Sequence, residues 1–141
     1  MSFRLVSKVS GSESRQGTVT AGTAIAAGEM LAINGNVLER ATSASTIHTC
    51  VGVATETIST TATTILYTPI IAGQRWSVDV ANATAITQLY EGMILSDHDT
   101  VNNTDTTVAT QTAVFWCDGI EGAIGDKKLL GEFQKSKSTS A

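Results

Sequence analysis

Asp97, His98 and Asp99 put three adjacent ligand-type side chains in one place, the most concentrated polar chemistry in the chain. Such a run could hold a divalent cation or supply a base. On an extended strand, however, neighbouring side chains point to opposite faces. The Thr- and Asn-rich surroundings read as a solvated loop, and no metal-site spacing frames the run. The expectation is a surface loop with no resident metal.

His48 and Cys50 would share one face of a strand, and Cys117 could approach them if two similar units pair. A zinc site would need a fourth ligand, with His98 the candidate, yet no CxxC or HxxxH spacing accompanies them. A Cys–His nucleophile needs an orienting third group, which cannot be read here. Two cysteines make no disulfide framework. The favoured reading is two buried thiols packed as small hydrophobes. Gly122, Gly125 and Lys127 lack the GxxxxGK[ST] pattern of a phosphate loop. A carrier domain would want a lysine at a hairpin tip, and the Asn34-Gly35 tip has none. The expectation is therefore a protein that is not an enzyme, with no catalytic residue, no cofactor and no metal.

These residues must be positioned by β structure. Asn34-Gly35 is a tight hairpin signal between the apolar run Met30–Ile33 and a return strand at Val37-Leu38. Ile47 to Ile58 alternates, with Ile47, Thr49, Val51, Val53 and Thr55 on one face and His48, Cys50, Gly52 and Ala54 on the other. Ile65–Ile71 is apolar and β-branched, and Pro69 marks an edge or a strand end. Arg75 to Ala81 alternates most clearly, placing Trp76, Val78 and Val80 on one face as core anchors, with Trp116 as a further anchor in a second strand-like run. Residues 82–90 predict a short helix or helical turn that Asn82 could cap, with Ile86, Leu89 and Tyr90 on one side. Residues 91–119 echo the opening unit: YEGMIL answers AAGEML, and FWCDG answers HTCVG.

The 141 residues fit one domain. Three segments are expected: an arm over 1–16, a β-rich domain over 17–133 and a polar tail over 134–141. In the arm Phe3, Leu5 and Val9 alternate with Arg4 and Lys8. It is read either as an extended segment that pairs elsewhere or as an edge strand of the domain itself. The fold class is mainly β, a compact small barrel or sandwich with one short helix and an extended N-terminal arm. Charged residues make up only 16% of the chain, below the ~25% usual for soluble domains, which hints at association. A net charge of −4 argues against a nucleic-acid partner, which would favour a basic patch. No apolar run approaches the ~20 residues that span a bilayer, so no membrane partner is expected, and MSFRLVSKVSGSES lacks the apolar middle of a signal peptide.

The succession AAGEMLAINGNVLE, a Thr/Ser-rich loop and then VGVA resembles the small decoration, or cement, proteins of tailed-bacteriophage capsids. The likeness covers residues 20–58 and, more faintly, 73–122. It departs from the lambda-type branch in lacking a Pro- and Ala-rich N-terminal region. The resemblance implies a virion protein assembled in the bacterial host cytoplasm and seated on the outer capsid surface. It implies self-association, with a trimer favoured, and a bracing contact with the major capsid protein. Phe3, Arg4, Leu5, Lys8 and Val9 are the candidate contacts. The competing expectation is a fibre or adhesin module that binds a small ligand or glycan, which should expose aromatic residues in loops.

Overall fold

The computed structural model describes residues 2–104 and 113–133. The expected polar tail, with Lys135 and Lys137, lies outside the described residues. Twelve strands follow in chain order: β1 Phe3–Ser7, β2 Arg15–Thr18, β3 Met30–Asn34, β4 Val37–Arg40, β5 Cys50–Ala54, β6 Thr64–Pro69, β7 Arg75–Asp79, β8 Gly92–Met93, β9 Leu95–Asp97, β10 Thr100–Val101, β11 Phe115–Ile120 and β12 Lys128–Phe133. They form two five-stranded sheets, ordered β1-β7-β12-β11-β8 and β2-β6-β5-β3-β4, plus the β9–β10 hairpin.

The architecture is mainly β and sandwich-like. The first sheet turns Phe3, Trp76, Val78, Phe115, Leu129 and Phe133 inward, and the second turns Met30, Ala32, Cys50 and Val53 to meet them. Phe133 is the hub of the aromatic packing. Its ring meets Phe3, Trp76 and Phe115 edge to face, each at a centroid distance of 5.5 Å, the arrangement that ring quadrupoles favour. The other face of the second sheet is also buried. Leu31, Leu38, Ala54 and Ile65 pack there against Val19, Ile25 and Ile58. An isolated parallel bridge, Val19 to Leu38, folds the end of β2 back toward β4, so the sheet curls without closing into a barrel. Gly17 permits this approach, because a Cβ there would lie 2.4 Å from Leu38 Cδ1.

The β3–β4 hairpin closes at Asn34↔Val37, leaving Gly35 and Asn36 as the turn. Gly35 has φ 64. No positive φ occurs at Asn36, so the turn is of the II′ kind, in which only the first central residue needs glycine. β5 is shorter than the 47–58 alternation implies, because Ile47–Thr49 form a turn. Its strict alternation also fails. Leu31 pairs with Gly52 but Ala32 pairs with Cys50, so Val51 is an extra, bulged residue. Cys50 and Val53 consequently face the sandwich core, while Val51 and Ala54 face the second cluster.

Three further expectations meet the structure. Of the short helix or helical turn expected over 82–90, the structure shows a single 3₁₀ turn at Ile86–Gln88. Tyr90 then donates its N–H to Cys117 O at 2.8 Å, which pulls the chain into register with β11 after one turn. Ile86 and Tyr90 end up exposed, and Gln88 is buried instead. Asn82 does not cap the turn; Gln88 Oε1 does so, accepting from Ala85 N at 3.1 Å. Trp116 is not a core anchor. It pairs with Gly92 and Glu132 and is half-buried, on the face opposite Phe115 and Cys117. Of the two readings of the N-terminal segment, the edge strand is the one the structure takes. β1 pairs antiparallel with β7, Phe3 against Val78, as an edge strand of the domain's own sheet, because Phe3 completes the aromatic cluster.

The two similar units occupy opposite sheets. Met30 pairs with Val53 in one and Met93 with Phe115 in the other, and both methionines are fully buried in the shared core. The hairpin of β9 and β10 bridges the sheets. Val101 pairs with Val80, just after β7, while His98 O accepts the N–H of Met30 at 2.7 Å.

Candidate functional site

The polar cluster foreseen at residues 97–99 sits where that hairpin meets the second sheet, and it recruits two residues that the sequence pattern did not reveal. Glu29 lies just before β3, at a turn where Gly28 has φ 94. Its carboxylate is buried and accepts the N–H of Ala26 at 2.8 Å. Arg40, the last residue of β4, reaches it through Nε to Oε2 at 2.9 Å and Nη2 to Oε1 at 3.3 Å. A forked guanidinium–carboxylate contact of this kind is strong and directional.

Arg40 Nη2 also contacts His98 Nε2, and His98 Nδ1 contacts Asp97 Oδ1. The tautomer that satisfies both is a neutral imidazole carrying its proton on Nδ1, with Asp97 accepting that proton's bond and Nε2 accepting from Arg40. Glu29 Oε2 lies 3.6 Å and Asp99 Oδ2 3.9 Å from the same Nε2. Asp97 Oδ1 additionally accepts the backbone N–H of His98 at 2.6 Å, and Asp99 Oδ1 accepts from Thr100 Oγ1 at 2.9 Å.

One ligand atom from each of Asp97, His98 and Asp99 falls within 4.8 Å of the others. Geometry alone would admit a cation. Arg40, however, places a permanent positive charge against His98 Nε2, one of the two nitrogens that could ligate, which disfavours a cation at that atom. The cluster works as a clamp. It neutralises the buried Glu29 and fastens the β9–β10 hairpin to the base of β3 and β4.

The other candidates disperse. His48 is exposed in the 47–49 turn, whereas Cys50 is buried in the core. Cys50 and Cys117 approach the core from opposite sheets and form no disulfide. Cys117 donates to Gly119 O at 3.3 Å, and burial pushes its thiol up to about 11. Lys128 is tied to Asp79 at 2.5 Å across the outer face of the first sheet. The loop between β11 and β12 is closed on itself, Asp126 accepting from Ala123 N at 3.0 Å.

The N-terminal candidates fall on both sides of β1. Phe3 is buried in the core and Leu5 packs partly against it. Arg4 is exposed and pairs with Glu121 at 2.7 Å. Lys8 is exposed and Val9 half-buried. Val6 was missed. Leu5 pairs with Trp76 and Ser7 with Arg75, so Val6 is the bulged residue, and it is 42% exposed. No sequence signal marks that bulge. A separate groove of about 340 Å³ runs beside β4, floored by Val19, Ile25 and Leu38 and rimmed by Thr23, Glu39 and Arg40.

A search with protein-family models found none that matches the chain, and no curated protein matches it.

Proposed function

We propose that the protein is a structural virion subunit that binds the outer surface of a tailed-phage capsid and stabilises contacts between major capsid subunits. The observation that carries this reading is the placement of the residues behind the resemblance. AAGEMLAINGNVLE and VGVA are not scattered but build three adjacent strands of one sheet, β4-β3-β5, with β3 and β4 joined by a two-residue turn. With Phe3 and Leu5 committed to the core, the capsid-facing side chains are Arg4 and Val6 of β1 and Lys8 just after it, all exposed. Each copy offers a small footprint there, and assembly into trimers, the favoured oligomer, multiplies it through effective concentration.

The test is to add the purified protein to expanded capsids assembled without it. Retention through sedimentation and a raised capsid melting temperature are expected. Failure to bind at any subunit ratio would overturn the reading. One observation favours a second reading, a fibre or adhesin module that recognises a glycan. Tyr90 is 65% exposed in a loop, at φ 63, and an exposed ring of this kind can stack on a sugar. Glycan-array binding that is lost in Tyr90→Ala would favour it.

A further inference from the structure

The tip of the β3–β4 hairpin exposes Asn34, Gly35 and Asn36 to solvent. The ladder closes at Asn34↔Val37, so the cross-strand bonds bypass Gly35. Among the described residues its N–H meets no backbone acceptor. A Cβ built on Gly35 would meet nothing within 4 Å beyond its chain neighbours, so the turn stands in open space. The Asn34 carboxamide is one residue away. Its one hydrogen bond runs from Nδ2 to Glu39 Oε2 at 3.3 Å, long for a charge-assisted contact and on an exposed surface.

We propose that Asn34 is a site of spontaneous covalent modification, converting to aspartate and its β-linked isomer by attack of the Gly35 backbone nitrogen. That nitrogen gives its proton to solvent base and bonds to Asn34 Cγ. The Cγ–Nδ2 bond breaks, and Nδ2 leaves as ammonia with a proton from water. The cyclic imide so formed is opened by water at one of its two carbonyls. Opening at Cγ restores the normal backbone and leaves a side-chain carboxylate. Opening at the backbone carbonyl routes the chain through the side chain. No oxidant or reductant enters, and water is the only co-reactant.

The other sites are less open. Asn36, Asn82, Asn102 and Asn103 are followed by Val37, Ala83, Asn103 and Thr104, whose side chains screen the attacking nitrogen. Asn103 is also buried and locked to Asn82 by two bonds, of 3.0 and 2.9 Å. Asp118 precedes a glycine as well, but its carboxylate takes two bonds from Arg75, at 3.1 and 2.7 Å, and Gly119 is paired with Leu130 inside the sheet.

Either product alters the hairpin. A carboxylate at position 34 faces Glu39 where an amide donated to it, replacing attraction with like-charge repulsion. The β-linked isomer lengthens the backbone at a turn whose register depends on residue count.

The experiment is peptide mapping by mass spectrometry on the full chain, held in mildly alkaline buffer at body temperature and sampled over days. Amide-to-acid conversion should appear at Asn34 before any other asparagine. Asn34→Gln should abolish the early acidic species while leaving the circular dichroism spectrum unchanged. Glu39→Ala should speed conversion severalfold by freeing the carboxamide to rotate. The proposal fails if Asn34 remains an amide while another of these asparagines converts, or if conversion at Asn34 proceeds at the same rate in Glu39→Ala.

Discussion

Phe3 and Phe133 meet edge to face, with centroids 5.5 Å apart and planes at 65°, so the first and last strands of the fold share one aromatic cluster. This contact decides the role of the N-terminal segment. Removing a buried aromatic costs about 3–5 kcal/mol in a well-packed core, so Phe3→Ala should destabilise the domain by about 3 kcal/mol, read as a shifted urea midpoint. Deleting residues 2–10 should lower the melting temperature sharply. If the truncated protein melts like the full chain, β1 is not part of the sheet in solution.

Trp76 is the second hinge of that cluster. It is 1% exposed, packs on Phe133, and donates from Nε1 to Gln74 Oε1 at 3.2 Å. Trp76→Ala should cost about 3–5 kcal/mol, since it opens a large cavity; Gln74 Oε1 keeps the Ile71 N–H at 2.8 Å. Trp116→Ala, on the outer face, should cost clearly less. Equal losses in denaturant melts would contradict the assignment of faces.

The Glu29–Arg40 pair should behave as a buried clamp. Arg40→Ala strands a buried carboxylate, and losing one partner of such a pair costs about 3 kcal/mol. Glu29→Gln combined with Arg40→Met should cost less than Arg40→Ala alone, because no unpaired charge remains. A double-mutant cycle with no coupling would show that the clamp carries no energy.

Cys117 gives a pH signature with a definite sign. Its thiol titrates near the ordinary 9.0 when unfolded and near 11 when folded, because burial disfavours the thiolate. The folded state therefore holds its proton more tightly. The associated stability is fully present below the unfolded value and is lost as pH rises from there through the folded value. Stability should fall across that alkaline interval, and Cys117→Ala should flatten the fall. Alkylation of Cys117 in the native protein should be slow at neutral pH and become rapid in denaturant.

Local chemistry was legible in the sequence where one neighbour decides the outcome. Asn34-Gly35 announced a hairpin turn, though it falls one residue later at Gly35-Asn36, Pro69 announced its strand end, and the period of Trp76, Val78 and Val80 the inward face of β7 and the residue after it. What a distant partner decides was not legible. The apolar spacing of Ile86, Leu89 and Tyr90 suits a helix, yet the pull of Cys117 on Tyr90 ends it after one turn. Trp116 looks like a core residue, but alternation cannot say which face is inward when Phe115 and Cys117 compete for it. The bulges at Val51 and Val6 shift the phase of otherwise regular strands and leave no residue signature. The site followed the same rule. Asp97, His98 and Asp99 stood out as neighbours, whereas Glu29 and Arg40 join them only through the fold.

The order of strands in the two sheets has a consequence for how the chain acquires its structure during translation. The second sheet uses only residues between Arg15 and Pro69, so every strand it needs is available early. In the first sheet β12 lies between β7 and β11 and supplies Phe133 to the aromatic hub. Until residue 133 has left the ribosome, β1 and β7 on one side cannot be joined to β8 and β11 on the other. The nascent chain must therefore keep Phe3, Trp76 and Phe115 without their shared partner after every strand of the second sheet has been made, and the interval before β12 arrives is when a chaperone would find the most apolar surface to hold.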